Sequence, residues 1–227
     1  MDAWQRASHR ATVAVIEAVG GAVRPAPPTA ACCGALHVHA GLHSDAAELA
    51  AATIAAMPGD DPILVNSAGC GAALKEYGAL LGTDEAARFA TRVRDVHEWV
   101  AERADRLPAA TRRVGPVIVQ DPCHLRHVQR VEQPVRTVLA PYADIVELDD
   151  LGLCCGAGGA YSALQPELAG EIRERKVGSI DRAVAVSGAT VLASANPGCA
   201  MQLAGTVERV AHPMDLVAEA AALLDGR

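Results

Sequence analysis

The sequence predicts an α/β protein built as two tandem repeated units, each a short parallel sheet flanked by helices. Three observations carry this expectation. Short β-branched runs alternate with Ala-rich helical patterns, cysteine landmarks recur once in the same order, and a Pro-bounded stretch separates the copies. In chain order, helical patterns cover 9–19 and then 45–56, on either side of a Cys32-Cys33-Gly34 triplet. Ile63-Leu64-Val65 reads as a strand, and 71–81 and 84–104 read as helices. The stretch from Leu107-Pro108 to Gly115-Pro116 has Pro at both ends and polar residues inside, so it marks a boundary. The first unit is placed at 1–107 and the second at 117–227. The second opens with Val117-Ile118-Val119 and ends that strand at Pro122. It continues with a helix over 131–140, the strand Ile145-Val146-Glu147-Leu148, a helix over 166–183, the strand Thr190-Val191-Leu192-Ala193 and a helix over 214–224. Near-continuous apolar strands between helices belong to parallel sheets covered on both faces.

The repeat is carried by particular residues. Cys32-Cys33-Gly34 and Gly69-Cys70 are answered by Cys154-Cys155-Gly156 and Gly198-Cys199. The segment from Arg92 to Glu102 is echoed from Arg209 to Glu219, and all these landmarks are offset by 117 to 129 residues. That period is too long for a solenoid and fits two similar domains. The second unit carries a strand and Cys123 ahead of its Cys-Cys-Gly triplet. The first has no counterpart, so the expectation is that it is truncated at its start.

Composition removes some functions. Twenty Lys and Arg stand against 27 Asp and Glu, with one Phe, two Trp and three Tyr. A nucleic-acid partner calls for a basic face and stacking rings, so none is expected. The opening Met1-Asp2-Ala3-Trp4-Gln5-Arg6 lacks the basic-then-apolar pattern of a secretory signal. The uncharged stretch from Ser187 to Val207 is broken by Ser194-Ala195-Asn196-Pro197-Gly198, so it reads as strand, turn and helix rather than a transmembrane segment. The expected location is the cytoplasm, with attachment to the inner membrane only through partners.

Seven cysteines in a chain without a signal point to metal or catalysis rather than disulfides. In a parallel α/β unit, ligand sites gather beyond the carboxyl ends of the strands. Cys123, the pair Cys154 and Cys155, and Cys199 each follow a predicted strand there. Four thiolates suit structural zinc or an iron–sulfur cluster. Zinc usually takes two Cys-x-x-Cys knuckles, and none is present. An adjacent Cys-Cys pair with wide spacers suits a larger multi-iron cofactor better, with zinc as the alternative. Cys32, Cys33 and Cys70 form the smaller set in the first unit. His37, His39 or His43 could complete it, or simply orient loops. His124 and His127 could donate to cluster sulfur or cap a helix, and Arg126 could offset cluster charge or be solvated. Cys123 and His124 as nucleophile and base is a further reading. Adjacent residues rarely reach that geometry, and only Asp121 is near to orient the His. Gly156-Ala157-Gly158-Gly159 follows a Cys pair instead of a strand, so it does not read as a dinucleotide fingerprint.

Several segments together resemble the cysteine-rich domain of heterodisulfide reductase-like and glycolate oxidase-like iron–sulfur proteins. They are Cys32-Cys33-Gly34-Ala35-Leu36-His37-Val38-His39-Ala40-Gly41, Asn66-Ser67-Ala68-Gly69-Cys70-Gly71 and Asp121-Pro122-Cys123-His124-Leu125-Arg126-His127. Leu153-Cys154-Cys155-Gly156 and Asn196-Pro197-Gly198-Cys199-Ala200-Met201-Gln202-Leu203 continue the likeness over nearly the whole chain. The resemblance implies an electron-carrier subunit with a 4Fe-4S cluster. Such a subunit takes electrons from flavoprotein subunits that oxidise glycolate and passes them to a quinone or other acceptor. Lactate-utilisation and heterodisulfide reductase-like proteins are the nearby alternatives. A zinc-stabilised interaction module is the reading from another class. The family carries a ferredoxin-like region with Cys-x-x-Cys-x-x-Cys sets, which this sequence lacks, so a ferredoxin-like iron–sulfur partner is expected to supply that relay. Both Cys-Cys-Gly copies also lack the final Cys-x-x-Cys of the heterodisulfide reductase type, which fits the oxidase branch.

Overall fold

The computed structural model describes residues 2–30 and 32–224, with side chains from Gln5 onward. The outermost ends of the two expected units, Met1 and 225–227, lie outside the described residues. The first half runs α1 (Asp2–Ala18), α2 (Ala35–His39), α3 (His43–Ala56), β1 (Ile63–Val65), α4 (Ala68–Lys75), α5 (Tyr77–Leu81), α6 (Asp84–Arg92), β2 (Val93–Asp95) and α7 (Val96–Ala101). After the connector come β3 (Pro116–Gln120), a π-helical turn (His124–Gln129), α8 (Gln133–Leu139), β4 (Asp144–Glu147), α9 (Tyr161–Leu164) and α10 (Pro166–Ser187). Strand β5 (Val191–Ser194), α11 (Pro197–Gln202), β6 (Arg209–Ala211) and α12 (Pro213–Ala220) complete the order. The stretch after Ser187 is therefore strand, turn and helix, and no described helix is long and apolar enough to cross a membrane.

Two parallel sheets form, as the sequence predicts. Strands β1 and β2 pair, with Ile63 opposite Val93 and Val65 opposite Asp95. The other sheet has the order β4-β3-β5-β6, with Val117 opposite both Ile145 and Val191. The apolar runs are continuous because both faces of the larger sheet are covered. Val117 and Val119 face a core shared with Val135, Val138 and Leu139 of α8 and Met214, Leu216 and Val217 of α12. Ile118 and Leu192 face the other way, onto Ile180 of α10 and Leu203. Each such fully buried side chain contributes about 1.5–3 kcal/mol of burial. A third cluster gathers Ile54, Leu74, Tyr77, Phe89 and Val93 in the first half. Helix α1 and the turn after it place Ala11, Val15, Ile16 and Val19 in the same core as α12, so the two halves share one apolar interior. The connector lies along that body: Thr111 N–H donates to Ala220 O at 2.8 Å and Tyr142 Oη–H to Pro108 O at 2.6 Å.

The structure corrects two helices. The pattern over 84–104 is two helices split by β2, and 71–81 breaks at Glu76. The split explains the echo between Arg92–Glu102 and Arg209–Glu219. Each segment is a short strand followed by a helix with a reciprocal cap. Asp95 and Glu98 form the capping box of α7, and His212 and Asp215 occupy the equivalent places on α12.

These two caps meet in a buried polar node. The His97 and His212 ring centroids lie 5.4 Å apart, and His97 Nδ1 is 2.6 Å from Asp95 Oδ1. His212 accepts Met214 N–H at Nδ1, so its Nε2–H donates to Asn66 O at 3.0 Å. Burial, reinforced by His97, pushes the His212 pKa down from 6.5 to about 3. The unfolded chain therefore binds a proton that the native state excludes between about pH 6.5 and 3. Stability is unaffected above that window and falls as pH falls through it. In metal-free protein, His212→Gln is expected to remove about 2 kcal/mol of the stability lost between pH 7.5 and pH 5. Urea unfolding of both proteins at the two pH values checks this.

Candidate metal centre

The carboxyl edge of the larger sheet presents four cysteines. Strand β3 runs through Asp121-Pro122 to Cys123, β4 leads to Cys154 and Cys155, and β5 leads through Asn196 to Cys199 on α11. Cys155 Sγ lies 3.1 Å from Cys199 Sγ. The Cys123 and Cys155 thiols both act on Cys154 and lower it, so the four thiols form one interacting group. All seven cysteines are free thiols; Cys155 and Cys199 are buried, while Cys123 and Cys154 are partly exposed.

The local sequence builds this site. Asp121 accepts from Arg126 at 2.8 Å and from Arg136 at 2.9 Å, which fixes the strand end before Cys123. Arg126 is therefore spent on Asp121 and does not face the sulfurs as a free cation. Asp121 is equally unavailable to orient His124 as a base, which removes the triad geometry from the nucleophile reading. His124 Nδ1 lies 3.6 Å from Cys123 Sγ, and burial with the charge of His39 lowers its pKa. His127 lies 3.1 Å from Gly152 O, a carbonyl that requires a ring N–H donor, and so holds the loop before Cys154. Gly156 turns with φ +88 and its N–H donates to Cys154 Sγ at 3.4 Å. A Cβ there would stand 2.5 Å from Ala169 O of α10.

Lys176 belongs to this site and was not read from the sequence. Its side chain is fully buried on α10 and bonds Asp150 at 2.7 Å. Asp150 also accepts Gly152 N–H at 3.0 Å, so the pair anchors the Cys154 loop. Its charge helps lower the Cys199 thiol, after the hydrogen bonds from Cys155 and Asn196. In Glu174-Arg175-Lys176 the sequence shows only an ordinary charge run. Nothing in that pattern marks the one cation that points inward.

The donor set fits a soft, cationic group. Hydrogen bonding pushes Cys154 and Cys199 down and their donors Cys123 and Cys155 up, an alternation that lets only some of the four ionise. Four touching thiolates repel one another, and a metal core with positive charge removes that conflict. Among the described residues no group of three or more His, Cys, Asp or Glu is arranged to hold a metal ion as it stands. Tetrahedral zinc keeps sulfurs roughly 3.8 Å apart and a multi-iron core keeps them farther, so either requires the loops to open from the 3.1 Å contact.

The first half arranges its cysteines differently. The Cys33 and Cys70 thiols act on each other, which raises Cys33 and lowers Cys70. Cys32 is exposed, accepting only Gly34 N–H at 3.5 Å. His37 has a buried Nδ1 without a partner among the described residues, and His39 turns instead toward His124, 5.8 Å between ring centroids. Gly159 sits against this seam: a Cβ would stand 2.9 Å from both His39 Nδ1 and Leu36 Cδ2. The trio is thus close to the second half but has three sulfurs where the other site has four.

Comparison with known proteins agrees with this duplicated, cysteine-bearing layout. The family model for the cysteine-rich domain, CCG, matches residues 1–75 and 117–204. The chain is 32% identical over 97% of its length to the probable glycolate oxidase iron-sulfur subunit of Bacillus subtilis (strain 168), covering 53% of that protein. It is 30% identical over 94% of its length to the glycolate oxidase iron-sulfur subunit of Escherichia coli (strain K12), covering 54% of it. It thus spans about half the length of these two curated relatives. It is also 28% identical to lactate utilization protein A of Shouchella clausii (strain KSM-K16), over 87% of this chain and 84% of that protein.

Proposed function

This chain belongs to the cysteine-rich CCG domain family, and from that membership we propose that it is an iron–sulfur electron-transfer component of a glycolate oxidase-type complex. The observation that carries the proposal is the gathering of Cys123, Cys154, Cys155 and Cys199 at one sheet edge, with the Cys155 and Cys199 sulfurs 3.1 Å apart. When bound, an iron–sulfur cluster supplies a one-electron carrier. Those four cysteines are the proposed ligands, and the 4Fe-4S form is the proposed type. Lys176 and the N–H groups at Gly156 and Asn196 then offset the negative charge of the thiolates. Cys32, Cys33 and Cys70 form a second, weaker site in this reading.

In this reading the chain does not itself take the hydride, because that step needs an acceptor such as a flavin. The proposed partners are therefore flavoprotein subunits that take a hydride from the 2-hydroxy acid and deliver its electrons singly to this chain. A ferredoxin-like partner or segment, and then a quinone, is the proposed continuation. The lactate-utilisation reading is favoured by one observation, the match over 84% of that relative's own length.

The test mixes the iron-loaded chain with the flavoprotein subunits and adds glycolate or lactate under anaerobic conditions. Bleaching of the cluster absorbance only when flavoprotein and glycolate are both present supports the proposal. Bleaching by lactate in place of glycolate favours the second reading. Glycolate turnover by the flavin-free chain alone contradicts both.

A further inference from the structure

The two cysteine helices begin alike. Ser67 is the N-cap of α4, three residues before Cys70, and Asn196 is the N-cap of α11, three residues before Cys199. A Ser or Asn in that place ordinarily accepts a hydrogen bond from its own helix. Neither side chain caps its own helix here. Asn196 Oδ1 reaches across the seam and accepts Gly69 N–H at 3.1 Å, so the second half caps α4 of the first. Ser67 Oγ–H donates to the same oxygen at 3.4 Å. The other end of the amide, Nδ2–H, donates to Cys199 Sγ at 3.4 Å. Beside it Ala68 N–H donates to Ala195 O at 3.0 Å and Gln129 Nε2–H to Ala68 O at 2.9 Å, which holds the seam in register.

We propose that Asn196 is a positioning residue through which the first half sets the reduction potential of the centre in the second half. The inference rests on the iron–sulfur reading above. An N–H···S bond favours the more negative, reduced state of a cluster held by that sulfur, and hydrogen bonds to sulfur are among the levers that set cluster potential. Gly69 N–H is the main donor on Oδ1, the Ser67 hydroxyl shares its one proton between that oxygen and the Cys70 thiol, and together they polarise the amide and strengthen its Nδ2–H donor. The first half then acts on the centre without supplying it a ligand.

The test is an EPR-monitored redox titration of the anaerobically reconstituted full chain. Asn196→Asp keeps an acceptor for Gly69 N–H, removes the donor to Cys199 and turns an oxygen toward its sulfur. It is expected to lower the midpoint by roughly a tenfold change in the reduced-to-oxidised ratio, about 59 mV for one electron. Ser67→Ala is expected to shift it the same way by less, and to add nothing in the Asn196→Asp background. An unchanged midpoint in Asn196→Asp, or an equal Ser67→Ala shift in both backgrounds, overturns the proposal. Should Asn196→Asp fail to fold or load, Ser67→Ala decides alone: a lowered midpoint supports the inference and an unchanged one overturns it. A wild-type chain that takes up no iron–sulfur cluster overturns the functional reading itself, a result distinct from a loaded cluster whose midpoint does not move.

Discussion

Cys155→Ser is expected to lose most of the iron that the chain takes up on anaerobic reconstitution. Cys155 is the most buried of the seven cysteines, 1% exposed, and its sulfur joins Cys154 to Cys199. A serine hydroxyl is a hard, neutral oxygen that does not ionise near neutral pH, whereas soft thiolate is what iron–sulfur clusters and zinc select. Burial also keeps water from standing in as a substitute ligand. Cys32→Ser is the matched control, because Cys32 is exposed and its sulfur accepts from Gly34 N–H in the first half. Iron and sulfide analysis should show near-background iron for Cys155→Ser and a retained second-half centre for Cys32→Ser. Full iron in Cys155→Ser removes Cys155 from the ligand set.

Gly156→Ala is expected to cost roughly 2–5 kcal/mol of stability, the sum of a left-handed backbone penalty and overpacking. The residue has φ +88, and its added Cβ would meet Ala169 O at 2.5 Å and Arg173 N at 3.2 Å. Both atoms are backbone of α10, so no flexible side chain can yield. Relief comes only by moving the Cys154-Cys155 loop away from α10, which also pulls on the Lys176–Asp150 anchor. Chemical denaturation should show the loss. Gly170→Ala on the same helix, where an added Cβ meets nothing within 4 Å, should show none.

The sequence was most legible where burial dominates. Ile63-Leu64-Val65 matches β1, and the runs at 117–119, 145–148 and 190–193 fall on β3, β4 and β5 within a residue or two. Of these, β3 and β5 are interior strands that must be apolar because helices cover both faces, while β1 and β4 lie at sheet edges, half-buried, and are legible from their β-branched runs alone. Strands β2 and β6 were missed because each is only three residues long and an arginine, Arg94 or Arg209, interrupts the apolar run that marks β1 at the same length. Their usable signal was Asp95-x-x-Glu98, a capping box that starts a helix at Val96 and so denies one running through 84–104. The cysteines were legible as strand-end residues, since chain order alone places them at one sheet edge. What held them there was not. Arg126 pairing with Asp121, Lys176 turning inward and Asn196 capping the other half's helix are all choices made by tertiary packing. Each leaves only a common charged or polar residue in the sequence.

The central claim is that Cys123, Cys154, Cys155 and Cys199 hold one multi-iron centre in the second half, while the three-cysteine site of the first half holds metal weakly or not at all. The direct measurement is iron, sulfide and zinc content of the full chain after anaerobic reconstitution, read beside its absorbance. The account predicts brown protein with about four iron and four sulfide per chain, the content of one cubane-sized cluster. Colourless protein with one zinc and no sulfide would contradict it, and a stable content near two clusters would contradict the weak first-half site.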